Sequence, residues 1–461
     1  VKPHLDYLDG GYHMIVGKEQ PNSCIVKTPN GDIPIGDLIP GDIIYNSYTS
    51  MSKVISANPQ GLKDVYEVEL FDGRKTRCGY EHLWEIFGPI YRKDKRKHET
   101  LELKELINRP LKVGTKYKAF IKLSEAVQHL ECYLPIPPYT MGALLGDGNI
   151  TKQLKLSGDD EEVLNNVLTE LNMFFDTGEY YVSNRHDYNW ALRYQPFGNN
   201  KKGNPIYEEL KDFGLNCKSE YKFIPEVYKT SSIAQRIELV KGLMDTDGFI
   251  STDGAMSFGN KSEKLVKDLQ GILYSLGIQA TYRIRKDGMH FLYINSDINI
   301  FGITRKKERF IPERKVRKFV PIVNIKKLDY QEESTCILVD SDDHTYLTDE
   351  YIVTHNSRRK GYSYKDGAIC ANVYNTQRNA QIIIGAFEKK FLYPKGTMGM
   401  ASDYLNFLNE HTGWAKSRDY VDKVDHKKAS YAEKKNGITV EKGYQSEIFA
   451  LTFKDNPDAA R

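Results

Sequence analysis

The sequence predicts a multidomain chain in which a β-rich domain is interrupted by an α+β domain made of two similar halves, with α/β segments on the outer flanks. Three observations predict it. Short alternating apolar runs bounded by Gly, Pro and Asn turns fill residues 23–87 and return at 334–357. Between them, an apolar helical segment ending in Asp-Gly occurs twice, at 139–148 and 239–248. Outside them, residues 12–16 and 381–387 are apolar runs of the kind that form buried strands.

Composition bounds the rest. A length of 461 residues suggests about three domains, and 40% hydrophobic with 28% charged residues fits a soluble globular protein with ample core. No stretch approaches ~18 uninterrupted apolar residues, so no membrane span is expected. Six Cys without a CxxC pair argue against a zinc site or disulfide scaffold and for a reducing, cytoplasmic compartment. The chain has no starting Met and stops at Asp458-Ala459-Ala460-Arg461, so a fragment of a longer protein is expected. A net charge of +3 hides a basic run at 305–327, which is a solvated face or, beside a DNA-acting domain, a phosphate-binding one.

Taken in order, Cys24 to Lys27 reads as a strand and Thr28-Pro29-Asn30-Gly31 as a turn. Residues 33–44 add a short element and another strand, residues 65–70 alternate, and Asp72-Gly73 turns the chain towards His82-Leu83-Trp84. Pro135-Ile136-Pro137-Pro138 reads as a linker.

The two Asp-Gly helices each carry a small residue at the same place, Gly142 and Gly242, which lets them pack backbone to backbone. Asp147 and Asp247 then meet at the end of the interface. Paired carboxylates repel unless a divalent cation joins them, and with Mg²⁺ they can activate water against a phosphodiester. Lys222-Phe223-Ile224-Pro225 is echoed by Arg309-Phe310-Ile311-Pro312 in the second half.

Beyond the basic run, residues 334–340, 343–347 and 351–357 suggest strands joined by turns, ending in His355-Asn356-Ser357. An Asn side-chain amide can attack its own backbone carbonyl and cut the chain behind it, provided a neighbour such as His355 protonates the leaving amine. The Ser357 hydroxyl can hold an acyl group.

These motifs resemble two families. The T-P-x-G turn, the I-x-D-L-x-x-G-D stretch, the hairpin His82 and the terminal His355-Asn356 resemble the Hedgehog/intein (HINT) splicing fold. The paired helices resemble the LAGLIDADG motifs of single-chain homing endonucleases. The resemblance implies an all-β HINT domain in two parts, 19–132 and 321–356, around a LAGLIDADG endonuclease at 133–320 with two αββαββα-like repeats. Segments 1–18 and 357–461 are then the flanking sequences to be joined. Trp84, Cys336 and Thr354 resemble the marker residues of class 3 inteins, whose first residue carries no nucleophile, and Glu19 is such a residue. By this resemblance Cys336 attacks the Lys18 carbonyl, His82 polarises that junction, and the acyl group passes to Ser357. Asn356 then cyclises with help from His355 and His344. No cofactor is implied for splicing. Mg²⁺ on Asp147 and Asp247, with Lys222 in the active site and double-stranded DNA as partner, is implied for the nuclease.

Joining Lys18 to Ser357 creates Gly17-Lys18-Ser357-Arg358-Arg359-Lys360-Gly361-Tyr362-Ser363, which has the G-x-x-x-x-G-x-S spacing of a phosphate-binding loop. Tyr362 stands where the usual Lys belongs. Gly17, Lys18, Lys360, Gly361 and Ser363 are the candidate nucleotide-binding residues. The joined loop resembles that of phage terminase large subunits, which implies α/β P-loop ATPase fragments, ATP with Mg²⁺, packaging partners and a phage-infected bacterial cytoplasm. Two other readings remain: a terminase ATPase carrying a splicing-inactive insertion, and a class 1 intein beginning at Cys24.

Overall fold

The computed structural model describes residues 18–89, 98–151, 153–186, 189–198, 203–312, 318–341, 343–355, 362–386, 389, 392–394, 396–412 and 421–452. They fall into two compact units, Val1–Ser357 and Arg358–Arg461.

The first unit opens with strands β1 (Gln20–Pro21), β2 (Ile25–Thr28), β3 (Gly31–Pro34), β4 (Ile43–Tyr45), β5 (Met51–Leu70), β6 (Lys75–Cys78), β7 (Leu83–Phe87), β8 (His98–Glu102) and β9 (Phe120–Lys122). After an α+β insertion it closes with β18 (Phe319–Val339), β19 (Thr345–Thr348) and β20 (Ile352–His355). All twelve belong to one sheet, ordered β3-β2-β19-β20-β7-β9-β18-β5-β4, with β1 on β18, β6 on β5 and β8 on β7. The long antiparallel pair of β5 and β18 buries Val65, Val68, Leu70, Val320 and Ile322 near one end and Val54, Ile337 and Val339 near the other. Its middle is polar and only partly buried, so the two ends pack into separate cores. Two junction segments meet in this sheet. β1 pairs with β18 through Gln20 and Thr335, and β20 pairs with β7 through His355 and Leu83.

The insertion contains α1 (Pro138–Asp147), β10 (Gly148–Asn149), β11 (Lys155–Ser157), α2 (Glu161–Phe174), β12 (Gly178–His186), β13 (Asn189–Pro196) and α3 (Pro205–Asp212). The order repeats in α4 (Ile233–Thr246), β14 (Gly248–Ile250), β15 (Met256–Asn260), α5 (Glu263–Ser275), β16 (Gln279–Ile284), β17 (His290–Asn295) and α6 (Thr304–Lys307). Each half has a four-stranded antiparallel sheet, and one hydrophobic core runs through both. The Pro-rich stretch before α1 is not a free linker. Ile136 is fully buried, its backbone N–H and C=O both bond the Tyr228 hydroxyl, and Pro138 starts α1 where a missing N–H costs nothing.

In the second unit, α7 (Tyr362–Thr376) and α8 (Thr397–His411) accompany a sheet of β21 (Gln381–Ala386), β24 (Ile438–Thr452), β23 (His426–Lys435) and β22 (Val421–Asp422). β21 runs parallel to β24, while the other pairs are antiparallel. The expectation of a buried strand at 381–387 is corrected: β21 is an edge strand, with Ile384 buried and Ile383 63% exposed. Among the described residues, no helix is long and apolar enough to cross a membrane.

Candidate splice-junction and endonuclease sites

The sheet gathers the N-terminal junction residues around one peptide bond. His82, in the turn before β7, is fully buried, and its Nδ1 lies 3.1 Å from the carbonyl oxygen of Lys18. A carbonyl only accepts, so Nδ1 carries the hydrogen. Burial pushes the imidazole down to about 3, which keeps it neutral, and the Thr354 hydroxyl donates to Nε2 at 2.5 Å. The Lys18 carbonyl sets the tautomer, and the Thr354 hydroxyl satisfies the remaining ring nitrogen. Trp84 packs edge-on against the His82 ring, with centroids 5.6 Å apart, and limits how the ring can turn.

Cys336 sits on β18, buried beside the backbone of Lys18. Burial pushes its thiol up to about 12, although a hydrogen bond from the Lys18 backbone opposes the rise. The Lys18 ammonium is tied to Glu102 at 2.5 Å. Cys24 makes a different hydrogen bond. Its thiol donates to the Arg77 carbonyl at 3.3 Å within the core of Ile35, Leu38 and Val339, and burial raises its pKa strongly.

At the C-terminal end of the β domain, His355 is buried on β20, and the His344 ring lies 6.0 Å from it, centroid to centroid. His344 has φ +54°, a left-handed turn conformation that turns the chain into β19. Asn356, Ser357, Gly17, Lys360 and Gly361 lie outside the described residues. Ser363 falls in α7, with its side chain outside the description.

The α+β insertion builds its site on α1 and α4. A Cβ on Gly142 would lie 2.2 Å from the Leu239 carbonyl oxygen, and one on Gly242 would lie 2.1 Å from that of Tyr139. Only glycine permits this approach. The helices therefore end side by side, α1 at Asp147 and α4 just before its C-cap, Asp247. Burial, then the neighbouring Asp247 charge, raises the Asp147 carboxyl to about 6. Asp247 is also raised by burial, while Asn260 donates to it at 2.6 Å. A cavity of about 520 Å³ opens beside Asp147, lined in part by Ser157, Asp160, Trp190, Asp245 and Arg305.

Lys222 is 1% exposed and donates to the carbonyls of Leu144, Leu145, Gly146 and Gly148 at 2.7–3.1 Å, closing the C-terminal end of α1. Its counterpart in the second half is Lys306, which donates to Met244, Asp245 and Gly248 at 2.7–2.8 Å. The motif echo placed Arg309 there instead. Arg309 bonds the Ile250 carbonyl and does not reach the end of α4. Burial lowers both lysines to about 8. Lys306 escaped notice because it lies in the basic run 305–327, where a surface role was expected. Among the described residues of that run Lys306 is buried, while Arg305, Lys318 and Lys327 stay about half exposed and pair with Asp160, Asp297 and Asp64.

Residues 234–324 match the family model of a LAGLIDADG-like domain. A replicative DNA helicase DnaB of Mycobacterium intracellulare is 25% identical over 375 residues, covering 74% of this chain, and the chain spans 59% of that relative's length. The homing endonuclease I-DmoI, solved with DNA and Mn, is similar at 16% identity and a TM-score of 0.26, over 35% of this chain and 89% of its own. The gp41-1 intein is similar at 22% identity and a TM-score of 0.15, over 18% of this chain and 78% of its own.

Proposed function

We propose that this chain is a self-splicing precursor that excises residues 19–356 and joins Lys18 to Ser357, and that the excised segment is also a site-specific endonuclease for double-stranded DNA. The observation that carries the splicing reading is His82 Nδ1 on the Lys18 carbonyl, with Thr354 on its other ring nitrogen and the Cys336 thiol beside the Lys18 backbone.

Splicing begins when the Cys336 sulfur attacks the Lys18 carbonyl carbon, while the His82 Nδ1–H donates to its oxygen as negative charge develops there. The C–N bond to Glu19 breaks, and its nitrogen leaves as an amine. The Ser357 hydroxyl then takes the acyl group from sulfur, returning the thiol. The Asn356 side-chain nitrogen attacks its own carbonyl, and His355, oriented beside His344, protonates the departing Ser357 nitrogen. Attack of that nitrogen on the ester leaves a peptide bond between Lys18 and Ser357.

In the endonuclease, Asp147 and Asp247 are the residues that would hold Mg²⁺. Their raised carboxyls mark a pair short of positive charge, and Mg²⁺ commonly takes one or two carboxylates and leaves its other positions to water and phosphate oxygens. The ion supplies water activation and charge stabilisation. Lys222 and Lys306 hold the helix ends that set the carboxylate spacing.

The host remains the finer part of the proposal. The joined loop from Gly17 to Ser363 favours a terminase large subunit that binds ATP and Mg²⁺. The mycobacterial relative favours a helicase host, but residues outside 19–356 make up only about a quarter of the chain, so most of that alignment falls inside the insertion. Nucleotide binding by the spliced protein, with and without Lys360→Ala, tests the loop.

Cys336→Ala tests the splicing reading. It is expected to abolish release of residues 19–356, while Cys24→Ala leaves it intact; a lethal Cys24→Ala with an active Cys336→Ala favours a start at Cys24.

A further inference from the structure

The mechanism leaves one buried group unused. Glu19, the residue that would follow the scissile bond, is 3% exposed, and its Oε2 finds no hydrogen-bond partner among the described residues. An unsatisfied buried carboxyl oxygen is costly and calls for a reason. The carboxyl packs against the Gly79 backbone, where a Cβ would lie 2.0 Å from Oε1, and the Gly79 N–H donates to the Glu19 carbonyl at 3.0 Å.

Position gives the reason. β1 and β18 pair Pro21 with Ser334 and Gln20 with Thr335, and one more step along this register sets Glu19 opposite Cys336. Opposite residues of an antiparallel pair point to the same face. The Glu19 carboxyl also accepts a hydrogen bond from its own backbone N–H, the nitrogen that must leave Lys18. The register thus brings the carboxyl to the face of Cys336, whose thiol at rest donates to the Ile337 carbonyl at 3.8 Å, and next to the nitrogen that must leave.

We propose that the Glu19 carboxylate carries the proton from the Cys336 thiol to its own backbone nitrogen during the first step of splicing. This rests on the reading of Cys336 as the nucleophile. As the S–C bond to Lys18 forms, the thiol proton passes to Glu19; as the C–N bond breaks, Glu19 returns that proton to the leaving amine. Proton and charge balance, and no outside acid or base is consumed. The need is physical, because a thiol pushed up to about 12 is almost wholly protonated at neutral pH. Burial raises the Glu19 carboxyl as well, which suits a group that must both take and give a proton. The groups that face it are Lys18, Lys63, Glu81, Cys78, Cys336 and His82.

The test follows cleavage between Lys18 and Glu19 by added dithiothreitol in the full chain carrying Asn356→Ala, which blocks the later steps. Glu19→Gln is expected to slow cleavage by about 100-fold near neutral pH, within the usual range for lost acid–base catalysis. Its rate is expected to climb about tenfold per pH unit, as hydroxide replaces the carboxylate, whereas the parent rate stays nearly flat. Added formate is expected to restore part of the rate in Glu19→Ala, an effect that loss of packing does not produce. A Glu19→Gln rate within threefold of the parent, or a slow rate with the parent's pH profile and no formate rescue, overturns the proposal and leaves the nucleophile assignment standing. Cleavage that survives Cys336→Ala overturns both.

Discussion

His82 Nδ1 lies 3.1 Å from the carbonyl oxygen of Lys18, and its other ring nitrogen receives the Thr354 hydroxyl from the last strand before the C-terminal junction. One imidazole thus connects the two ends of the β domain. Because Thr354 sits two residues before Asn356, a shift in the last strand alters the donor at the first junction.

His82→Ala is expected to slow cleavage at Lys18 by about 100-fold or more, the usual cost of losing a donor to a developing oxyanion. Asparagine cyclisation at the other junction should persist, so the 1–356 fragment accumulates. Mass spectrometry of the products checks this.

The His82 environment also predicts an acid weakness. Its imidazole is held at about 3 in the folded chain against 6.5 ordinarily, so the unfolded state binds the extra proton. Stability attached to the neutral ring is present above about 6.5 and is lost as pH falls from there towards 3. Thermal melting at pH 7 and pH 5 should show a smaller drop for His82→Gln than for the parent.

Thr354→Val keeps the shape of the side chain and removes the hydroxyl. The expected result is splicing slowed by about tenfold with little loss of stability, since the lost bond acts through the ring of His82. Equal rates for both proteins contradict the role given to Thr354.

The endonuclease site gives a prediction in the opposite pH direction. Asp147 is raised to about 6, so the folded chain binds its proton more tightly than the unfolded chain does. Without metal, this carboxyl's contribution to stability declines as pH rises from about 3.8 to 6. Mg²⁺ should therefore raise the melting temperature more at pH 7.5 than at pH 5, and DNA cleavage should fall as pH drops below about 6. Asp147→Asn removes both effects.

Lys306→Met should reduce DNA cleavage about as strongly as Lys222→Met, on the order of 100-fold, because the two lysines hold equivalent helix ends. Gly142→Ala should cost roughly 1–3 kcal/mol through overpacking and spread the carboxylates. Plasmid nicking and denaturant unfolding measure the two effects.

Much of this was legible because the chemistry needs rare residue types at fixed places. His82 beside Trp84, Cys336 and Thr354 are a spaced set, and the Gly and Asp of both helices recur one hundred positions apart. What escaped were features whose local sequence resembles something commoner. The middle of the β5–β18 pair is polar and only partly buried, so it carries little of the alternation that marks a half-buried strand. Lys306 sits among arginines and lysines, and only the fold distinguishes the buried member. The Pro-rich entry to α1 has linker composition, yet Tyr228 fastens it. Glu19 was noted for lacking a nucleophile, and only its place opposite Cys336 supplies a task.

The most direct measurement of the central claim is the intact mass of the products after residues 1–461 are expressed in bacteria. The account predicts two species: residues 19–356 ending in a cyclised asparagine, and residues 1–18 joined to 357–461. A single full-length mass, or a junction anywhere other than Lys18 and Ser357, contradicts it.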